Sequence, residues 1–219
     1  MKIKLKKGKF IRNIVIGVLA LIIAALIINY APGYRRDKYT DVINLVIGDE
    51  NVTENLKHPI YRDENETVYM SKDDISELFD SNIYYDQNYN KLITTSNTKV
   101  ASMNLGEKQI SINGSTIDTL GIAFQKDGVL YVPISELKLV YNISVNYIST
   151  SNIVIIDKLN EGMIVADVSK NSTLKYKARN LSKDVVTVEE GEKVSCFYTT
   201  SKGWRLIRTS EGKLRICKS

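Results

Sequence analysis

"GVLYVPISELKLVYNISV", residues 128–145, holds a short apolar strand, a proline, a few residues at helical spacing and a second strand. Its meaning comes from a second copy 62 positions earlier. "VYMSKDDISELFDSNIYYDQNYNKLITT" from Val68 lies without a gap over "LYVPISELKLVYNISVNYISTSNIVIID" from Leu130. Tyr69 matches Tyr131, Tyr85 matches Tyr147, Asn90 matches Asn152 and Ile93 matches Ile155. Apolar character agrees at Met70 and Val132, Ile75 and Leu137, Phe79 and Tyr141, and Ile83 and Val145. Each copy predicts a strand, a helix of about two turns, a strand, a turn and a final strand. Ser71 opens "SKDD" as an N-cap with acids in the first turn, where the helix dipole favours them. Pro133 takes the corresponding early-turn position, which tolerates a missing N–H. Each copy is too small to bury its own apolar face, so the two are expected to pack as one domain.

Between the copies, Ile110 and Ile112 alternate up to Asn113-Gly114 and Ile117 follows. A type I′ turn needs positive φ at both central residues, so this predicts a hairpin, and Asp127-Gly128 marks the next turn. Residues 40–158 are therefore read as mainly antiparallel β with two short helices.

Charge is unevenly placed. The 219 residues carry a net charge of +5, but eight Lys or Arg precede Asp37 and no acid does. The remainder has 22 basic and 25 acidic residues, a net charge of −3, so the basic balance belongs to the leader and no nucleic-acid partner is expected. "NIVIGVLALIIAALIINYAPGY", between Arg12 and Arg35, is 22 residues without a charge. As a helix it reaches roughly 33 Å, enough for a hydrocarbon core of about 30 Å. Pro32-Gly33 ends it. Six Lys or Arg precede the span, against Arg35, Arg36 and Lys38 after it, which predicts a cytoplasmic N-terminus. The expected order is a basic cytoplasmic tail at 1–12, a transmembrane signal anchor at 13–34 in the lipid bilayer, and extracellular domains beyond. A cleaved signal peptide is the rival reading, and its cleavage site is poor because Asn29 stands three residues before a cut at Ala31.

"LYVPISEL" followed by "ISVNYISTSNIVIID" resembles the copper amine oxidase N-terminal-like domain of bacterial surface proteins. That resemblance covers 40–158 and implies a stalk, not a copper centre, since His58 is the only histidine. The sequence departs from the family pattern at Ile134, Ser135 and Asn142. Residues 161–219 form a separate unit. Its "VVTVEEGEKVSCF" and "GWRLIRTSEGKLRIC", with Gly191-Glu192-Lys193-Val194, Gly203-Trp204 and Gly212-Lys213, resemble a bacterial SH3 domain, a small β-barrel. Arg215, Ile216 and Cys217 stand where that family usually has Gly-Tyr-Val. Cys196 and Cys217 sit at its core valine positions and are read as buried thiols, with a disulfide between them as the alternative in an exported chain.

The sequence holds no G-x-S-x-G, P-loop or H-E-x-x-H pattern. His58, before Pro59 in an expected hairpin, is the only base for a nucleophile. Asp73, Asp74 and Glu77 read as helix-cap chemistry, and Glu189, Glu190 and Glu192 as a solvated turn. No catalytic residue, metal site or cofactor is expected. The fold expected is α+β, mainly β: a transmembrane helix, a pseudo-repeated antiparallel domain, then an SH3-like barrel. This order resembles the front half of membrane-bound family-18 glycoside hydrolases of low-GC Gram-positive bacteria. It implies either a non-catalytic surface protein binding peptidoglycan or another cell-wall polymer, or the accessory part of a wall or spore-cortex hydrolase. Trp204 is the first candidate ligand contact, with Tyr198 and Tyr176 behind it, because flat rings cover peptide or sugar faces at small entropic cost.

Overall fold

The computed structural model describes residues 7–30, 39–79, 82–159, 162–200 and 202–218, with the side chains of the first helix described over 12–27. That helix, α1, runs Lys7–Tyr30. The N-terminal domain follows with β1 (Asn44–Ile47), β2 (Glu50–Asn51), β3 (Tyr61–Arg62), β4 (Val68–Ser71), α2 (Lys72–Leu78), β5 (Tyr84–Asp86), β6 (Lys91–Thr95), β7 (Val100–Asn104), β8 (Gln109–Ile112), β9 (Ser115–Asp118), β10 (Phe124–Lys126), β11 (Val129–Pro133), α3 (Ile134–Val140), β12 (Ile143–Ile148) and β13 (Ile153–Lys158). The C-terminal unit holds β14 (Ile164–Asp167), β15 (Ser172–Lys175), β16 (Asp184–Val188), β17 (Lys193–Thr199), β18 (Trp204–Arg208) and β19 (Leu214–Lys218). The protein is mostly β, with three α-helices among the described residues.

Residues 1–6 and 31–38, which include the first half of the basic tail and the Pro32-Gly33 stop, lie outside the described residues. The side chains of α1 over 12–27 are exposed on every face. That stretch alone is shorter than the ~20 residues a bilayer requires. Among the described residues no helix is long and apolar enough to cross a membrane.

The repeat organises the N-terminal domain. Helices α2 and α3 begin 62 residues apart, and β4 pairs with β11 as Tyr69 with Pro133, Met70 with Val132 and Ser71 with Tyr131. Equivalent residues thus meet across a local two-fold through the Met70–Val132 pair. Each copy closes its hairpin in the same way. Asn90 and Asn152 take left-handed backbone (φ 49° and 56°), which asparagine tolerates better than most residues. Their Oδ1 atoms accept hydrogen bonds from Tyr85 (2.7 Å) and Tyr147 (2.8 Å), one turn-locking bond repeated. Asn113-Gly114 and Asp127-Gly128 have positive φ throughout, as type I′ turns require, and β8 pairs Ile110 with Ile117 across the first of them.

Ser71 caps α2 as expected, accepting from the Asp74 N–H at 3.0 Å, but Asp74 is more than a first-turn acid. It is buried, and its carboxylate accepts from the Lys57 N–H (2.6 Å), the His58 N–H (3.2 Å) and Ser71 Oγ (2.5 Å). Glu136, at the equivalent position of α3, is also buried and accepts from the Leu120 N–H at 3.2 Å. Both helices therefore clamp the loop that precedes their copy. The clamp is also why His58 lies in a loop and not in the expected hairpin: its amide serves Asp74 instead of a ladder.

One core cluster holds Met70, Ile75, Ile83 and Leu92 of the first copy with Val132, Leu137, Val154 and Ile156 of the second. The pairing is mainly antiparallel, as expected, with one parallel pair. Strand β1 lies parallel to β13, Asn44 to Ile47 against Ile153 to Ile156, in a sheet ordered β12-β13-β1-β2. Parallel neighbours need a long connection, and here it is the whole of both copies.

That sheet has no solvent face over its centre. Leu45, Val154 and Ile156 point into the domain core, while Val46, Ile153 and Ile155 join Leu206 and Leu214 of the C-terminal unit. Arg208 crosses the same boundary with a bidentate pair to Asp157 (2.8 and 2.6 Å) and a bond from Nη1 to the Gly48 carbonyl (2.9 Å), its side chain only 4% exposed. Gly212, at φ 80°, lets the β18–β19 turn approach so closely that an added Cβ would lie 3.1 Å from Ile155 and 3.2 Å from Ile153. The C-terminal unit itself is one antiparallel sheet ordered β14-β17-β18-β19-β15-β16, with its own core of Leu174, Val188, Val194, Cys196 and Ile207.

Two outcomes are expected from this packing. Asp74→Ala removes the acceptor of two part-buried backbone donors and lowers stability by about 1–3 kcal/mol in urea unfolding, with Glu136→Ala costing less. Wild-type transitions followed by the single tryptophan, Trp204, and by far-UV circular dichroism coincide, whereas Arg208→Ala, which leaves Asp157 without its partner at a cost of about 3–5 kcal/mol, separates them.

Candidate functional site

A cleft of about 400 Å³ lies where the C-terminal unit meets the β1–β2 hairpin. It is lined by Tyr176, Lys177, Ala178 and Arg179 from the segment after β15, Tyr198 from β17, Leu206 from β18, and Leu214, Arg215 and Ile216 from β19. Asp49 and Asn51 complete it from the N-terminal domain. Buried Ser182 shapes the segment after β15: its Oγ accepts from the Lys177 N–H (2.9 Å) and its own N–H donates to the Arg179 carbonyl (3.1 Å). Lys175 Nζ fixes the base of that segment, bonding the Ser182 carbonyl (3.3 Å) and Asp184 (2.5 Å).

Arg215 is buried beside this cleft with its guanidinium 5.3 Å from the ring centres of both Tyr39 and Tyr176. A cation over two aromatic faces is attracted by both ring quadrupoles, so Arg215 and Tyr176 hold each other in place. Tyr39 is tied in turn by its hydroxyl, which accepts from the Leu214 N–H at 2.7 Å. The cleft thus offers two flat rings, three cations and one carboxylate, in the size range of small-ligand sites.

Two of the three aromatic residues singled out in the sequence meet here. Tyr176 is half-buried and Tyr198 is 49% exposed. Trp204 does not line the cleft. It is 5% exposed, on the face of β18 that also carries Leu206 and Arg208, with Lys218 Nζ 5.9 Å from its ring centre. Ile207 on the opposite face is 2% exposed, so both faces of this strand are covered.

Cys196 and Cys217 are free thiols. Strand β18 runs between them, pairing Cys196 with Ile207 and Cys217 with Arg205. Two inter-strand spacings, roughly 9–10 Å, exceed the ~7 Å between Cα atoms that a disulfide spans, which removes the disulfide alternative. Burial pushes the Cys217 thiol up, against the opposing pull of Arg205, so it stays protonated at neutral pH.

Sequence reasoning missed Arg215, Arg179, Lys177, Asp49 and Asn51. For Arg215 a signal was present, because it is the first residue at which the C-terminal segment departs from the Gly-Tyr-Val pattern. Asp49 gave none, since its part depends on how the two units dock. A larger cleft of about 660 Å³ lies beside α3, but its aromatic residues Phe79 and Tyr141 pack against the core, and Lys99 Nζ already donates to the Leu139 carbonyl at 2.6 Å.

A family model, the copper amine oxidase N-terminal domain, matches residues 46–156, from β1 to β13. That is just over half of the 219 residues, and the chain belongs to this family. No curated protein and no solved structure matches it. The residues present do not fit the metal in the family name. Copper sites are built largely from imidazole and sulfur ligands, the chain has one histidine, and His58 Nε2 has Asp73 at 3.9 Å as its acidic neighbour. Among the described residues no group of three His, Cys, Asp or Glu could hold a metal ion.

The thiols give a direct check. In native protein at neutral pH, Cys196 is expected to react with a thiol reagent only on unfolding and Cys217 well below the rate of a free cysteine. Rapid reaction of Cys196 in the native protein would contradict its burial, and rapid reaction of Cys217 its upward shift.

Proposed function

We propose that the protein is a membrane-anchored, extracellular, non-catalytic binding protein that holds cell-wall peptide or glycan in the cleft between its two units. The cleft carries the reading: Tyr176 and Tyr198 offer flat faces beside Lys177, Arg179 and Arg215. Aromatic rings and cations together suit a ligand with extended apolar faces and negative groups. The resemblance of 161–219 to bacterial SH3 domains supports the same class of partner.

The anchor reading is supported by the 24-residue α1, about 36 Å long by the helical rise. It is supported too by the absence of charge from Asn13 to Tyr34. A helix that is apolar all round finds a suitable environment in a core or a bilayer, and the side chains of α1 over 12–27 are exposed. More basic residues before the span than after it orient the two units outward.

Purified full-length protein in detergent is expected to pellet with insoluble peptidoglycan. Tyr198→Ala reduces pelleting with an unchanged melt, while Trp204→Ala lowers the melting temperature because its ring is buried. Wild-type protein that stays in the supernatant would overturn the wall-binding reading, and native protein that leaves the membrane in carbonate would overturn the anchor.

A further inference from the structure

The geometry points to a composite site: Asp49 of the N-terminal domain and Arg179 of the C-terminal unit together select a short peptide that carries both a free amine and a free carboxylate. This rests on the wall-binding reading and names the ligand chemistry of the same cleft. Both residues line it, and both are exposed. Among the described residues neither side chain has a hydrogen-bond or ion-pair partner, so each charge is open to a ligand. They do not pair with each other. Opposite charges that line one cleft without pairing match a ligand whose own opposite charges are separated, with Tyr176 and Tyr198 as flat surfaces in the same lining.

Asp49 is placed by the docking of the two units. It follows Gly48 in the β1–β2 turn, where Gly48 has φ 55° and donates its N–H to the Ile156 carbonyl at 2.9 Å. The Gly48 carbonyl accepts from Arg208 of the C-terminal unit at 2.9 Å. The same arginine holds Asp157 at the end of β13. The residue that locks the units together therefore also fixes the turn that carries the only carboxylate of the cleft lining among the described residues. On this assignment the N-terminal domain supplies half of the charge selection, and the C-terminal unit alone lacks it.

The test uses the full chain in detergent and three synthetic tetrapeptides. The parent has an acetylated N-terminus, contains one lysine as its sole free amine and ends in a free carboxylate; the second is its Nε-acetyl form and the third its C-terminal amide. Wild-type protein is expected to bind the parent best. Asp49→Asn weakens binding of the parent by roughly three- to tenfold and leaves the acetylated peptide unchanged, and Arg179→Gln does the same for the parent relative to the amide. Both side chains are exposed, so an unchanged melt confirms that the variants are folded. Peptidoglycan pelleting with no discrimination among the three peptides, or with Asp49→Asn affecting all alike, overturns the composite site and leaves wall binding standing. Failure of wild-type protein both to pellet and to bind any peptide overturns the two together.

Discussion

Strand β13 is covered on both faces, and the rest of the molecule is arranged around that fact. Its run Ile153-Val154-Ile155-Ile156 is buried throughout, as is most of its parallel neighbour β1. Because successive side chains of a strand point to opposite sides, Val154 and Ile156 belong to the core of the N-terminal domain, and Ile153 and Ile155 to the seam with the C-terminal unit. Burying a side chain of this size contributes on the order of 2 kcal/mol, so one strand contributes to the domain core and to the docking of the two units alike. Arg208, bonded to Asp157 at the end of that strand and to Gly48 beyond β1, adds direction to an apolar contact that would otherwise have none.

The duplication was legible because it rests on local rules. A spacing of 62 residues, Asn-Gly and Asp-Gly turns, a serine N-cap and paired tyrosines and asparagines are readable without knowing what lies across the sheet. The helices, their hairpins and the Tyr–Asn bonds follow those rules. What stayed hidden is non-local. The pairing of Asn44 with Ile153 joins residues more than a hundred positions apart, and no periodicity in either segment names its partner. Asp74 reads in the sequence as an ordinary first-turn acid, since a carboxylate that accepts from a loop amide has the same sequence as one facing water.

The docking seam had a signal of another kind. In the first copy the final strand reads Lys-Leu-Ile-Thr-Thr and is buried at alternate positions, one face in and one face less covered. In the second the equivalent strand is an unbroken apolar run. A run without alternation implies cover on both sides, and a repeat in which only one copy has it implies a partner for that copy. The same reasoning bears on Trp204. With Leu206 it occupies one face of β18 while Ile207 occupies the other, and since both faces are covered the ring is enclosed and the cleft falls to Tyr176 and Tyr198.

The two copies have therefore diverged in what they contact, not in what they build. Both form the strand–helix–hairpin unit, and both helices clamp a preceding loop. Only the second presents a hairpin on which another unit is seated, and only the strand beside that hairpin, β1, leads into the turn bearing Asp49. A domain that merely separated the C-terminal unit from what precedes it would need no bidentate arginine, no glycine at van der Waals contact and no doubly buried strand. Those features hold one orientation, and an orientation matters where residues from both sides must face the same ligand. The physical case for a shared site is thus the same as the case for a rigid seam: each explains why Arg208 is bonded to the carbonyl just before Asp49 as well as to Asp157.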